Sequence, residues 1–221
     1  MSIHAVIFDL DGTLLDTIED LADAMNAVLG RGGFPTHGVE AYKTFVGDGI
    51  ELLVGRALPG DRQDAVTLRE CVEAFGREYA GRLDRKTRPY DGVMEMLRAL
   101  ASRGLKLAVL SNKPHAATVQ VVAALLGGVN FDVVRGALPG VPRKPDPAAA
   151  LAIAAQLGEL PRACLCVGDS GNDMRTAVAA GMTPVGALWG FRGEAELRAG
   201  GAEILVGTPL EIVGLLGRTW S

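Results

Sequence analysis

Apolar residues along this chain gather into short runs rich in β-branched side chains: "HAVIF" (4–8), "LKLAVL" (105–110), "FDVV" (131–134), "ACLCV" (163–167), "TPVGAL" (183–188) and "EILV" (203–206). Runs of that length without polar alternation predict strands buried on both faces. Between them lie helix-length segments at 93–102, 114–126, 146–157 and 172–180, three of them opened by Pro, Asp or Asn, as helix starts are. Alternation of strand and helix predicts an α/β fold, a Rossmann-like, doubly wound parallel sheet with helices on both faces. The interval 16–84 departs from this. It has helical periodicity, as in "DLADAMNAVL" (20–29) and "AVTLRECVEAFGREYA" (65–80), and no convincing strand. A small helical cap domain inserted after the first strand fits, with 1–15 and 85–221 forming the α/β core. The cap would lie over the sheet edge at which open α/β folds bind ligands.

Charge and composition narrow the partners. The 221 residues carry 22 Lys and Arg against 26 Asp and Glu, a net charge of −4, which offers no basic footprint for nucleic acid or an anionic membrane. A small anion must therefore be captured by a local site. Hydrophobic residues make up 48% of the chain, enough for a sizeable core. No stretch reaches the length of a membrane span and no basic-then-apolar leader opens the chain, so a cytoplasmic location is expected. Monomer and homodimer are both compatible with the sequence. Cys71, Cys164 and Cys166 cannot all pair and lack zinc-site spacing; they are expected to be buried small hydrophobes.

Four segments carry candidate chemistry. In "IFDLDGTLLDT" (7–17) a strand ends in Asp9 and Asp11, two residues apart, so their carboxylates leave the backbone in broadly one direction. Such a pair repels unless a cation or a shared proton intervenes, and oxygen ligands suit Mg²⁺. Gly12 permits a sharp turn and Thr13 offers a hydroxyl and an amide to an anion. Helix capping by Asp16 or Thr17 explains those two residues but not Asp9 and Asp11. "LKLAVL" ends in Ser111-Asn112 before Pro114, a plausible phosphate cradle at a helix start, although both are also ordinary turn residues. "RKPDP" (143–147) holds Lys144 in a proline-stiffened loop; a solvated surface lysine is the alternative. "CVGDSGND" (166–173) sets Asp169 and Asp173 after another strand. Acids converging from separate strands need a metal, because burying them uncompensated is costly.

Together and in this order, "DLDGT", the serine after the second strand, the lysine before a helix and "GDSGND" resemble the haloacid dehalogenase superfamily of phosphotransferases. The resemblance implies that Asp9 is the nucleophile that forms an aspartyl-phosphate and that Asp11 is the general acid and then base. It implies that Thr13, Ser111, Asn112 and Lys144 bind the substrate phosphate, and that Mg²⁺ is held by Asp9, Asp11 (through its backbone carbonyl), Asp169 and Asp173. Asp11 argues against a true dehalogenase, whose leaving halide needs no acid.

Within the superfamily, "FDLDGTLLDTIEDLADAMN", "FVGDGIELLVGRAL" (45–58), "SNKP" and "VGDSGNDMRTAVAAGM" resemble bacterial phosphoglycolate phosphatases. That implies a phosphoric monoester hydrolase acting on a small phosphorylated metabolite, with 2-phosphoglycolate the favoured substrate. A β-phosphoglucomutase-like phosphomutase or a pyrophosphatase on the same fold is the alternative. A receiver domain uses similar groups but has no room for the helical insertion. In the cap, Gly47, Asp48 and Gly49 would face the site, and Arg56 would supply a charge if it points inward rather than out from a cap helix. Trp189, Phe191 and Arg192, in "LWGFRGEAEL", lie on a loop near the same edge.

Overall fold

The computed structural model describes residues 2–216. Its centre is a six-stranded sheet of β1 (Ala5–Phe8), β4 (Lys106–Pro114), β5 (Val133–Ala137), β6 (Cys164–Gly168), β7 (Thr183–Ala187) and β8 (Ile204–Val206), in the spatial order β5-β4-β1-β6-β7-β8. Every adjacent pair is parallel. The apolar runs lack alternation because each strand buries both faces. On β1, Val6 and Phe8 join one core with α5 (Val93–Ser102), α6 (His115–Leu125) and α10 (Pro209–Leu215), whereas Ala5 and Ile7 join the opposite core with α7 (Ala148–Leu157) and α8 (Gly171–Ala180). Leu165 and Val167 of β6 alternate with Cys164 and Cys166 in the same way. The three cysteines are free and buried.

From β1 the chain moves to β4 and out to β5, then crosses back to β6 on the other side of β1. The crevice at their carboxyl ends is therefore the topological switch point, where such sheets take ligands. Above it lie α1 (Ile18–Arg31), α2 (Val39–Phe45), α3 (Ile50–Ala57) and α4 (Ala65–Ala80). They pack around a separate core running from Ile18 to Leu83 that includes Met25, Tyr42, Leu53 and Phe75. Two passages join this helical unit to the sheet, and they pair as a short antiparallel ribbon, β2 (Leu15–Asp16) with β3 (Arg88–Pro89). The sequence predicts no strand there, since two-residue strands leave no periodicity to read.

Two predicted boundaries shift. The strand expected at 131–134 runs Val133–Ala137, and the strand expected to end at Leu110 continues to Pro114, with an irregularity between these two residues. Ser111 and Asn112 thus lie in extended chain rather than in a turn. Among the described residues no helix is long and apolar enough to cross a membrane.

Asp20, buried near the start of α1, accepts hydrogen bonds from the Lys86 amide (2.9 Å), the Thr87 amide (2.8 Å) and the Thr87 hydroxyl (2.8 Å). It ties the outgoing passage to the returning one. Asp20→Ala strands those donors, and chemical denaturation should show stability lowered by roughly 3 kcal/mol. A loss within experimental error would mean that water replaces the carboxylate at no cost.

Candidate active site

Each catalytic candidate sits where a strand stops at the crevice. Asp9 follows β1, Asp169 follows β6, and Ser111 to Lys113 lie at the end of β4, while Lys144 arrives on the loop before α7. Close approach of these loops depends on missing side chains. At Gly12, with φ +92°, a Cβ would run into the Asp169 carboxylate and the Phe191 ring, and at Gly168 it would run into Asp173.

Asp9, Asp169 and Asp173 each bring a carboxylate oxygen within 4.8 Å of the other two. Lys144 Nζ lies 2.7 Å from Asp9 Oδ1 and 2.6 Å from Asp173 Oδ1. Asp169 accepts from the Thr13 hydroxyl at 2.9 Å and the Phe191 amide at 2.8 Å. Asp173 also closes a capping box with Ser170 at the start of α8, so helix geometry fixes its carboxylate.

Burial, with Asp173 close by, raises Asp9 well above the usual carboxylate range, and Lys144 opposes this only in part. Burial and Asp173 push Asp169 up to about 7 against its two hydrogen bonds. For Lys144, burial works against the charge, but Asp173 and Asp9 outweigh it and the ammonium is held more tightly than usual. Two buried acids, with Asp9 partly exposed to the cavity, thus face one ammonium. Oxygen donors, excess negative charge and two carboxyl groups that hold protons unusually well fit a hard divalent cation.

A second ion pair stands beside this cluster. Lys113 Nζ lies 2.7 and 2.8 Å from the two oxygens of Asp11 and 2.8 Å from the Tyr79 hydroxyl of α4. It also sits 4.8 Å from the centroid of the Tyr79 ring. Burial opposes the Lys113 charge, yet Asp11 and Tyr79 more than offset it and raise its pKa. Burial pushes Tyr79 up to about 12, so it remains a neutral phenol.

Asp9, Asp11, Ser111, Asn112, Lys113 and Lys144 line the floor of a cavity of about 300 Å³. Its roof is Gly47, Gly49, Ile50, Leu53, Phe75 and Tyr79 from the helical unit. Roof and floor are latched together. Asn112 donates to the Gly47 carbonyl (2.9 Å), Arg192 to the Val46 carbonyl (2.8 Å), Asn172 to Asp48, and Arg143 to both oxygens of Glu51 (2.7 and 3.2 Å).

The family model for haloacid dehalogenase-like hydrolases matches residues 3–181. The chain belongs to this hydrolase family. Among curated relatives it is 40% identical over 184 residues to a phosphoglycolate phosphatase of Nitrosospira multiformis, covering 82% of this chain and 81% of that one. It is 31% identical over 222 residues to that of Pectobacterium atrosepticum, covering 100% and 95%. A crystal structure from Lactobacillus delbrueckii subsp. bulgaricus, provisionally named a phosphoglycolate phosphatase, superposes with a TM-score of 0.91 at 32% identity, covering 99% of this chain and 100% of that one.

Within this hydrolase the expected site residues have the following placements. The Asp11 side chain lies outside the three-carboxylate cluster, which ligation through its backbone carbonyl allows, and Lys113 holds both its oxygens. Thr13 spends its hydroxyl on Asp169 instead of facing the cavity. Asn112 spends its carboxamide on the Lys144 amide (2.9 Å), the Lys144 carbonyl (3.0 Å) and the Gly47 carbonyl, so it holds the Lys144 loop. Arg56 does not line the cavity; it pairs with Asp48 at 2.6 Å and donates to the Phe45 carbonyl at 3.0 Å. Burial would raise Asp48, but Asn172 and Arg56 hold it below the usual range. Trp189 donates to the Thr13 carbonyl at 2.9 Å, supporting the site from outside the cavity. The sequence does not single out Lys113 and Tyr79. Extending the strand to Pro114 puts Ser111 and Lys113 on one face by the two-residue period, the signal that could have found Lys113.

Asp169 binds its proton more tightly when folded than an ordinary carboxylate does. In metal-free protein this favours the fold at pH below about 4, and the contribution is lost as pH rises through about 7. Asp169→Asn should therefore match wild type near pH 4 in EDTA and exceed it at pH 8 by up to about 4 kcal/mol, while Mg²⁺ should stabilise wild type alone. Thermal melts across that range check both halves; a pH-independent difference would contradict them.

Proposed function

We propose that this protein is a Mg²⁺-dependent phosphatase for a small phosphomonoester, with 2-phosphoglycolate the first candidate, and that it works through an aspartyl-phosphate on Asp9. The observation carrying this is Asp9 itself, the one member of the acid cluster that also lines the cavity, with Lys144 bound to it. The names of the Nitrosospira and Pectobacterium relatives support the substrate.

Asp9 attacks phosphorus and the bridging ester bond breaks, with Asp11 giving its proton to the departing alkoxide. Asp11, then anionic, takes a proton from the water that attacks the aspartyl-phosphate, which releases phosphate and restores both carboxyl groups. Lys144 and Ser111 bind phosphoryl oxygens, and Asn112 fixes the Lys144 loop. Asp9, the backbone carbonyl of Asp11, and Asp169 would hold the ion, with Asp173 orienting Lys144 beside them. When bound, Mg²⁺ compensates negative charge on the carboxylates and on the transferring phosphoryl group.

Residues 16–84 act as a movable cap over the core of 1–15 and 85–221, closing to exclude bulk water. Gly47 and Gly49 line the cavity just before α3, whose first residue has no side-chain cap, and their amides would suit a small carboxylate. On this reading the enzyme works in the cytoplasm on a phosphorylated metabolite.

Phosphate release with Mg²⁺ should favour 2-phosphoglycolate over hexose phosphates, nucleotides and pyrophosphate, and Asp9→Asn should lose at least about 10³-fold in kcat. A lead for hexose phosphates that needs a bisphosphate activator would replace hydrolysis with a mutase. An active Asp9→Asn would remove the nucleophile.

A further inference from the structure

Lys113 belongs to none of the residues that attack, bind phosphate or hold the ion, yet it is as buried as Lys144 and lines the same cavity. Its three ammonium hydrogens have three acceptors, the two oxygens of Asp11 and the Tyr79 hydroxyl. Gripped at both oxygens, the Asp11 carboxylate cannot rotate about its final torsion without breaking a charge-assisted bond; when Asp11 carries the proton it gives up, the protonated oxygen turns to the leaving group and Lys113 keeps hold of the other. Lys113 is itself held by the hydroxyl and the ring face of Tyr79. Asp11 and Lys113 come from the sheet, and Tyr79 comes from α4 of the helical unit. The tie is complete only while that unit is docked.

We propose that Lys113 is the positioning residue for Asp11, and that Tyr79 makes this positioning depend on cap closure. The inference rests on the assignment of Asp11 as proton donor to the leaving group and adds what aims it. When α4 lifts, Lys113 loses its third partner and Asp11 its fixed orientation, so proton transfer to the leaving group is confined to the closed state. Proton transfer by a positioned group depends steeply on its placement.

Leaving-group acidity separates this role from a general structural one. The first phosphoryl transfer governs kcat/KM, and an alkoxide needs a proton on departure whereas p-nitrophenolate does not. With 2-phosphoglycolate, Lys113→Met should lose about 10²-fold in kcat/KM, and with p-nitrophenyl phosphate less than about fivefold. Lys113→Arg should recover part of the loss. Tyr79→Phe, which keeps the ring and the fold, should lose about fivefold on 2-phosphoglycolate only. Asp11→Asn serves as the reference and should show the same selectivity as Lys113→Met.

Equal losses on both substrates in Lys113→Met and Tyr79→Phe, with Asp11→Asn still selective, would overturn the positioning role and leave the Asp11 assignment intact. A non-selective Asp11→Asn would overturn that assignment and the proposal with it.

Discussion

Three clustered carboxylates, two of them buried, against one ammonium form the constraint on which the rest of this molecule depends. The sheet brings Asp9 and Asp169 together at the ends of adjacent strands, and the capping box of α8 adds Asp173. Lys144 alone cannot balance them, which is why burial leaves Asp9 and Asp169 holding protons so strongly. A divalent cation would resolve the imbalance, and on the proposed function it would compensate the charge of the transferring phosphoryl group as well. Around the cluster, the Thr13 hydroxyl, the Phe191 amide and the Asn112 carboxamide are spent on orientation. The groups expected to grip substrate directly are fewer than the polar residues at the crevice suggest.

The seam between sheet and helical unit has a different character. It is crossed by single hydrogen bonds to the Val46 and Gly47 carbonyls, by Asn172 to Asp48, by a half-exposed Arg143–Glu51 pair, and by one buried bond, from Lys113 to the Tyr79 hydroxyl. Exposed ion pairs contribute on the order of 1 kcal/mol or less. Each half meanwhile has its own apolar core. A seam of few polar contacts between two separate cores is what the proposed cap movement requires, and the short β2–β3 ribbon with its Asp20 tie joins the halves.

The sheet was legible because strands buried on both faces leave uninterrupted apolar runs, and α5 was read to its exact ends, at Val93 and Ser102, because its amphipathic stripe is clean. The sequence ends β4 at Leu110 because Ser111, Asn112 and Pro114 read as turn residues, whereas the structure keeps the chain extended to Pro114, which pairs with Ala137 of β5. Residue types at the site were readable, but side-chain direction was not. Nothing local to Arg56 says that it turns back to Asp48, and Thr13 reaches Asp169 across 156 positions. Lys113 looks like any lysine beside a proline until the fold brings Asp11 and Tyr79 to it.

The central claim is that the cluster delivers a phosphoryl group to Asp9. Its most direct test is to mix enzyme with 2-phosphoglycolate, quench in acid within the first turnover, and map the peptides by mass. A phosphoryl group on the peptide holding Asp9, formed with Mg²⁺ and absent after EDTA treatment, is the predicted result. Phosphate release with the label on another residue, or formed equally well without the ion, would contradict the account.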